Sequence, residues 1–314
     1  MNYQKNRDEL TKVVRERVSL RHVSKHRKPD GSIDIEGNMK LWNDLMERFD
    51  KIWLWENGAP GFDGRDPKQT QPFLVFVPPA DTKLVRGTII VAHGGGFETR
   101  TGCESFHVAE YFNRAGFAVA ILSYRLKPYS RRDAIDDMQR AIRILRARKE
   151  DLGISDKVAV MGFSAGGMLA GNCATHFDYG LKESKDNIEL FSDRPDAAVI
   201  AYGAISFTSF PSGFMKNPFI DKNKAEELYL APEKNITTET PPFFIWQTNS
   251  DDPRFAMYLA KELADFDIPF ELHCFPGGIH GLALADGNND LDEKNPHIMH
   301  WSTLCAEWLE ELGL

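Results

Sequence analysis

An α/β fold is predicted, with a mostly parallel central sheet, helices on both faces and a small cap-like insertion. Three observations carry this reading. Short runs rich in β-branched and aromatic residues alternate with longer amphipathic segments, the order that a parallel sheet with crossover helices imposes on a chain. Several of the short runs are apolar at consecutive positions, as strands covered on both faces require. Most are closed by turn-forming residues: Pro78 and Pro79, the glycines from Gly94, a loop with Pro128, and Pro276.

Taken in order, strands are expected at 72–77 (PFLVFV), 88–93 (TIIVAH), 117–124 (FAVAILSY), 157–163 (KVAVMGF), 197–203 (AAVIAYG), 243–248 (FFIWQT) and 270–275 (FELHCF). The clearest helix is 133–149, where Ala134, Ile135, Met138, Ala141, Ile142 and Leu145 recur at helical spacing. Arg140, Arg143 and Arg146 fall on its other side and are expected in solvent. Further helices are expected at 254–265 and 300–312. Residues 204–240, rich in Phe, Ser, Asn and Pro between two strands, read as the inserted loop or cap. Residues 1–52 form a charged N-terminal extension in which Trp42, Leu45, Met46 and Phe49 make a helical apolar stripe, expected to pack on the body, residues 53–314, or to form a homodimer contact.

Composition sets the bounds. The 314 residues, 42% hydrophobic, can bury a sizeable core. A net charge of -8 argues against nucleic acid or an anionic membrane as the main partner. The opening twenty residues are charged throughout, and no apolar run approaches a membrane span, so a cytoplasmic protein is expected. Cys103, Cys173, Cys274 and Cys305 are far apart and read as free thiols. His297 and His300 beside Asp290, Asp292 and Glu293 are a weak metal pattern, and no metal or organic cofactor is expected.

The sharpest chemical signal is Gly162-Phe163-Ser164-Ala165-Gly166, a G-x-S-x-G motif directly after a strand and before a helical segment. A serine on so tight a turn has a strained backbone, and its neighbours two residues away pass too close for any Cβ. The turn lifts the hydroxyl above the sheet edge. Independently, His93-Gly94-Gly95-Gly96 lies at the end of another strand, where glycine backbone N–H groups, with that of Ala165, can surround an oxygen that becomes negative during acyl transfer.

A nucleophilic serine needs a base, and of nine histidines only His280, in FPGGIHGLAL, sits in a loop directly after a late strand. The loop after 243–248 offers Asp251 and Asp252 to orient it. Asp252 is preferred; Asp251 is read as capping the following helix or facing solvent. The chain order Ser, Asp, His is that of α/β-hydrolases.

With WLWENGAPG, HGGGF, SYRLKPY, MGFSAGGMLA, RPDAAVIAYG, TPPFFIWQTNSDDP and ELHCFPGGIHG, the chain resembles the acetylxylan-esterase-like sugar esterases, α/β-hydrolases related to the hormone-sensitive-lipase branch. The resemblance runs from about residue 53 to the end. It implies hydrolysis of short acyl esters, such as acetyl groups on sugars or xylooligosaccharides, without a cofactor. Carried over by position, Ser164 is the nucleophile, His280 the base, Asp252 its orienter, and Gly95, Gly96 and Ala165 the oxyanion donors. Phe97 and Phe163, beside these motifs, are candidates to restrict the acyl pocket, although core packing is the commoner role for aromatics so placed. Other readings are a general carboxylesterase or lipase-like enzyme, an amide hydrolase, and a ligand-binding protein on the same scaffold.

Overall fold

Runs of residues apolar on both faces fold as fully buried strands. In the computed structural model, which describes residues 3–16, 28–81, 86–203, 205, 223–289 and 291–314, they form one sheet. The strands are β1 (Ile52–Trp53), β2 (Phe73–Val77), β3 (Thr88–Ala92), β4 (Ala118–Ser123), β5 (Val158–Phe163), β6 (Ala197–Ala201), β7 (Phe243–Thr248) and β8 (Phe270–Phe275). Their order is β1-β2-β4-β3-β5-β6-β7-β8. All pairs from β4 to β8 are parallel; β2 runs antiparallel to both β1 and β4. Every residue of β2 to β7 is buried, so helices must cover both faces.

The helices are α1 (Gln4–Arg15), α2 (Ile35–Met46), α3 (Val108–Arg114), α4 (Arg131–Ala147), α5 (Lys149–Leu152), α6 (Ala165–Thr175), α7 (Lys224–Tyr229), α8 (Arg254–Asp265) and α9 (Pro296–Glu311). Ile90, Ala120 and Val160 of the sheet share one core with Ile142 of α4, Leu169 of α6 and Leu259 of α8. Ile89, Ile121 and Met161 share the other with Leu10 of α1, Trp42 of α2, Phe112 of α3 and Trp301 of α9. This is the α/β-hydrolase arrangement, and it brings the C-terminal ends of the parallel strands to a common rim.

Local chemistry explains where elements begin. Helix α4 opens two residues earlier than its periodicity predicts, because Ser130 and Asp133 cap it reciprocally: the Ser130 hydroxyl accepts from the Asp133 N–H at 3.2 Å and the Asp133 carboxylate from the Ser130 N–H at 2.8 Å. Helix α9 starts at Pro296 rather than near 300, capped by the Asn295 side chain. Strand β1 is too short to leave a periodic signal.

The arginine row of α4 is not solvated. Arg140 and Arg143 are 6% and 4% exposed. Arg143 meets Asp193 at 2.6 Å and Asp178 at 2.7 Å, and Arg140 donates to the Leu54 carbonyl at 2.8 Å. A charged stripe becomes interior when a distant segment brings carboxylates to it, and residues 178–193 do so here. Of the cap expected at 204–240, residues 204 and 206–222 lie outside the described residues; α7 docks on α4, with Glu226 meeting Arg132 at 2.6 Å. In the N-terminal segment, Trp42, Leu45, Met46 and Phe49 are buried against the sheet-facing core. Among the described residues no helix is long and apolar enough to cross a membrane.

Candidate active site

Strand β5 ends at Phe163 and α6 begins at Ala165, leaving Ser164 alone to make the turn. Its backbone takes φ 54° and ψ -116°, a region an L-residue occupies only when its surroundings impose it. The imposing contacts are tight. A Cβ on Gly162 would lie 1.9 Å from the Gly166 carbonyl oxygen, and one on Gly166 would lie 2.2 Å from that of Ala92. The Ser164 N–H is anchored on the Ala201 carbonyl at 3.0 Å. The Ala165 N–H, in the first turn of α6, is one of the amides that a helix cannot satisfy internally, and the helix dipole favours negative charge beside it.

Across 116 residues of sequence, His280 Nε2 lies 2.8 Å from Ser164 Oγ. Its other nitrogen, Nδ1, lies 2.6 Å from Asp251 Oδ2. The partner of His280 is therefore Asp251, and the preference for Asp252 is corrected. Residues Asn249–Asp251 make a single tight turn, after which Asp252 takes φ 47° and carries its side chain into the start of α8. There it accepts from the Arg254 backbone N–H at 3.0 Å and from Arg254 Nε at 2.8 Å, and the guanidinium holds its carboxyl below the ordinary range. The contact to the helix start expected of Asp251 is made by Asp252, one residue before the N-cap Pro253. Ser250, which the sequence did not single out, ties the two loops together by donating to the Gly278 carbonyl.

With Nδ1–H donated to Asp251, Nε2 is left to accept the Ser164 proton. Partial loss of water lowers the affinity of His280 for a proton, but the Asp251 hydrogen bond and charge, with the charge of Glu104, outweigh this and raise its pKa above the ordinary imidazole value.

The glycine loop follows β3. Gly95 and Gly96 take φ 111° and 64°, and a Cβ on Gly95 would lie 2.2 Å from the Thr99 carbonyl oxygen. The loop is buttressed from below by His93, which is fully buried. Arg100 Nη1 donates to His93 Nε2 at 2.8 Å, so Nδ1 carries the proton and donates to the Gly94 carbonyl at 2.6 Å. Tyr124 stacks on the imidazole and donates to the His93 carbonyl at 2.7 Å. Burial and the Arg100 charge hold His93 neutral, well below its ordinary pKa.

Phe97 and Phe163 take the commoner of their two expected roles, core packing, and not the lining of an acyl pocket. They are 3% and 0% exposed: Phe163 packs between Tyr202 and Trp301, and Phe97 lies under the Arg131 guanidinium and against Tyr124. Both belong to the cores beneath the site and neither presents a face to an incoming acyl group. Their place next to the motifs in sequence is explained by the inward side of the two turns.

Two residues missed by the sequence reading form the floor. Glu104, on a π-helical turn (Cys103–His107), is 2% exposed and accepts from the Gly94 N–H at 2.8 Å, from the Thr101 hydroxyl, and from the Tyr202 hydroxyl at 2.8 Å. Tyr202 in turn accepts from the Ala283 N–H at 2.9 Å. A carboxylate among Cys103, Phe106, Val108, Ala109 and Phe112 was the available signal, since an acid on an otherwise apolar face needs a buried partner. Among the described residues no group of three or more His, Cys, Asp and Glu is placed to hold a metal; Asp290 lies outside them.

The BD-FAE family model matches residues 74–263, more than half of the chain. A solved acetyl ester-xyloside bifunctional hydrolase from Caldicellulosiruptor lactoaceticus is 35% identical and superposes with a TM-score of 0.76 over 84% of this chain and 96% of that one. An acetylxylan esterase from Xylanibacter ruminicola is 28% identical over 227 residues, 68% of this chain and 44% of that protein. Endo-1,4-beta-xylanase B from Butyrivibrio fibrisolvens is 31% identical over 211 residues, 64% of this chain and 33% of that protein. The chain thus spans less than half the length of these two curated relatives.

Proposed function

This chain belongs to the BD-FAE family of α/β-hydrolases, and from that premise we propose that it is a serine esterase that cleaves short acyl esters, acetyl groups on sugars or xylooligosaccharides in particular, through an acyl-enzyme. The observation that carries the reading is the continuous contact chain from Ser164 Oγ through His280 to Asp251, at 2.8 and 2.6 Å. In this mechanism His280 Nε2 takes the Ser164 proton as Oγ attacks the ester carbonyl carbon. The carbonyl electron pair moves to oxygen, where the amides of Gly95, Gly96 and Ala165 stabilise it; each such donor contributes roughly 10²–10³ in rate. Collapse breaks the bond to the alcohol, which leaves with the proton from Nε2. Water, deprotonated by the same imidazole, then attacks the acyl-Ser164 carbonyl and releases the carboxylic acid. Asp251 holds the ring in the tautomer this requires.

The sugar-acetate preference is supported by the similarity to the acetyl ester-xyloside hydrolase of Caldicellulosiruptor lactoaceticus and the acetylxylan esterase of Xylanibacter ruminicola. Two assays test the proposal. Wild type should hydrolyse p-nitrophenyl acetate, and Ser164→Ala should lose about 10⁶ in turnover; equal rates would end the esterase reading. Acetate release from acetylated xylooligosaccharides should then exceed release from aryl and lipid esters in kcat/KM, and the absence of that preference would remove the sugar assignment while leaving the chemistry.

A further inference from the structure

Gly94 is pressed between two groups. A Cβ built on it would meet Glu104 Oε2 at 2.5 Å and the Ser164 Cβ at 2.9 Å, so the buried carboxylate lies directly beneath the turn that carries the serine. The partners of Glu104 among the described residues are three neutral donors, the Gly94 amide and the Thr101 and Tyr202 hydroxyls. The first belongs to the glycine loop. The last leads to the histidine loop, because the Tyr202 oxygen accepts from the amide of Ala283, three residues beyond His280, and the Tyr202 ring stands edge-on to the imidazole with centroids 5.1 Å apart. One carboxylate therefore touches the segment with the oxyanion amides and, through one phenol, the segment with the base.

We propose that Glu104 is a positioning residue of the hydrolytic site: it fixes the glycine loop through the Gly94 amide and the His280 loop through Tyr202, and its charge favours the imidazolium formed as Ser164 gives up its proton. The inference rests on the esterase reading of Ser164 and His280. A carboxylate without a cationic partner is costly to bury, and the hydrogen bonds offset that cost in the resting protein. Among the described residues no cation forms an ion pair with it, so a positive charge forming on His280 is stabilised by its field. Among the described residues, the groups facing His280 are the carboxylates of Asp251 and Glu104, the phenol of Tyr202 and the hydroxyl of Ser164.

The test compares Glu104→Gln and Tyr202→Phe with wild type. The amide keeps the shape of Glu104 but removes its charge, and Phe keeps the ring of Tyr202 but removes the bridge. With p-nitrophenyl acetate, Glu104→Gln should lower kcat about 10- to 100-fold with KM within about twofold. Its affinity for a trifluoromethyl ketone, which forms a tetrahedral adduct on Ser164, should fall by the same factor as kcat/KM. Tyr202→Phe should show a smaller loss, about 3- to 10-fold, with the same split, and remains informative if Glu104→Gln does not fold. The NMR titration of His280 should move to lower pH in Glu104→Gln. That readout needs no turnover, so it judges Glu104 even if wild type proves inactive towards esters, a result that would instead end the function proposed above. Wild-type kcat and ketone affinity in Glu104→Gln, or an unmoved His280 titration, would overturn the proposal, as would losses that follow the unfolded fraction in thermal melts.

Discussion

Asp251 and Asp252 are adjacent and chemically identical, yet the backbone sends them to different tasks. Asp251 faces the imidazole, whereas Asp252 is held by Arg254 at the start of α8. Asp251→Asn should therefore lower kcat about 10⁴-fold, since the orienter and its charge are both lost, while Asp252→Asn should stay within about tenfold of wild type. Steady-state kinetics on an acetyl ester separates the two. The pH dependence has a definite sign. The raised pKa of His280 means that protonated, inactive imidazole persists above the usual imidazole range, so kcat/KM should climb with pH through a midpoint above 6.5. In Asp251→Asn the main raising influences vanish, and the residual activity should have its midpoint at lower pH. Ser164 and His280 were legible in sequence because each follows a strand end in a glycine-rich turn, which leaves few other geometries. The aspartate was not, because the choice depends on the 47° φ of Asp252 and on a guanidinium two residues further on.

Elements are held by contacts that composition signals unequally. Gly162 and Gly166 are required by backbone approach, and Gly166→Ala should destabilise the protein by about 3 kcal/mol and abolish measurable turnover, because the blocking atoms are main-chain oxygens of the neighbouring strand end rather than a yielding side chain. Chemical denaturation and an ester assay would read the two effects. The junction of β4 and α4 is held differently. Arg125 is 2% exposed and Asp137 fully buried; Arg125 Nε meets Asp137 Oδ1 at 3.0 Å, and the Arg125 N–H donates to Oδ2 at 2.7 Å. Asp137→Asn removes the fully buried one of the two carboxylates that meet Arg125, leaving Asp133 at 3.1 Å, and should cost about 3 kcal/mol in denaturant unfolding. The strands were readable because full burial on two faces leaves uninterrupted apolar runs. Buried charge was not: Arg140 and Arg143 look like any solvated stripe until Asp178, Glu189 and Asp193 come to them from elsewhere.

Across the whole molecule, the N-terminal helices and the site are in mechanical contact. Trp42 of α2 is fully buried, with its ring 5.0 Å from that of His93 and the Arg100 guanidinium 5.4 Å from its centre. His93 holds the Gly94 carbonyl from below, and Arg100 holds His93. Leu45, also on α2 and also buried, lies in the same core. The pair allows stability and positioning to be separated. Trp42→Ala should cost about 3–5 kcal/mol and Leu45→Ala about 2–5 kcal/mol in unfolding free energy. If α2 only adds core, both variants should keep wild-type kcat wherever they are folded. If Trp42 braces the glycine loop through His93, Trp42→Ala should also lose about tenfold in kcat at constant KM, because loosening the amides proposed to hold the oxyanion weakens the transition state rather than the bound ester. The contact geometry favours the second outcome, since removing the indole leaves a void beside the imidazole on which the glycine loop rests, and a packed interior transmits such a loss to the groups it supports.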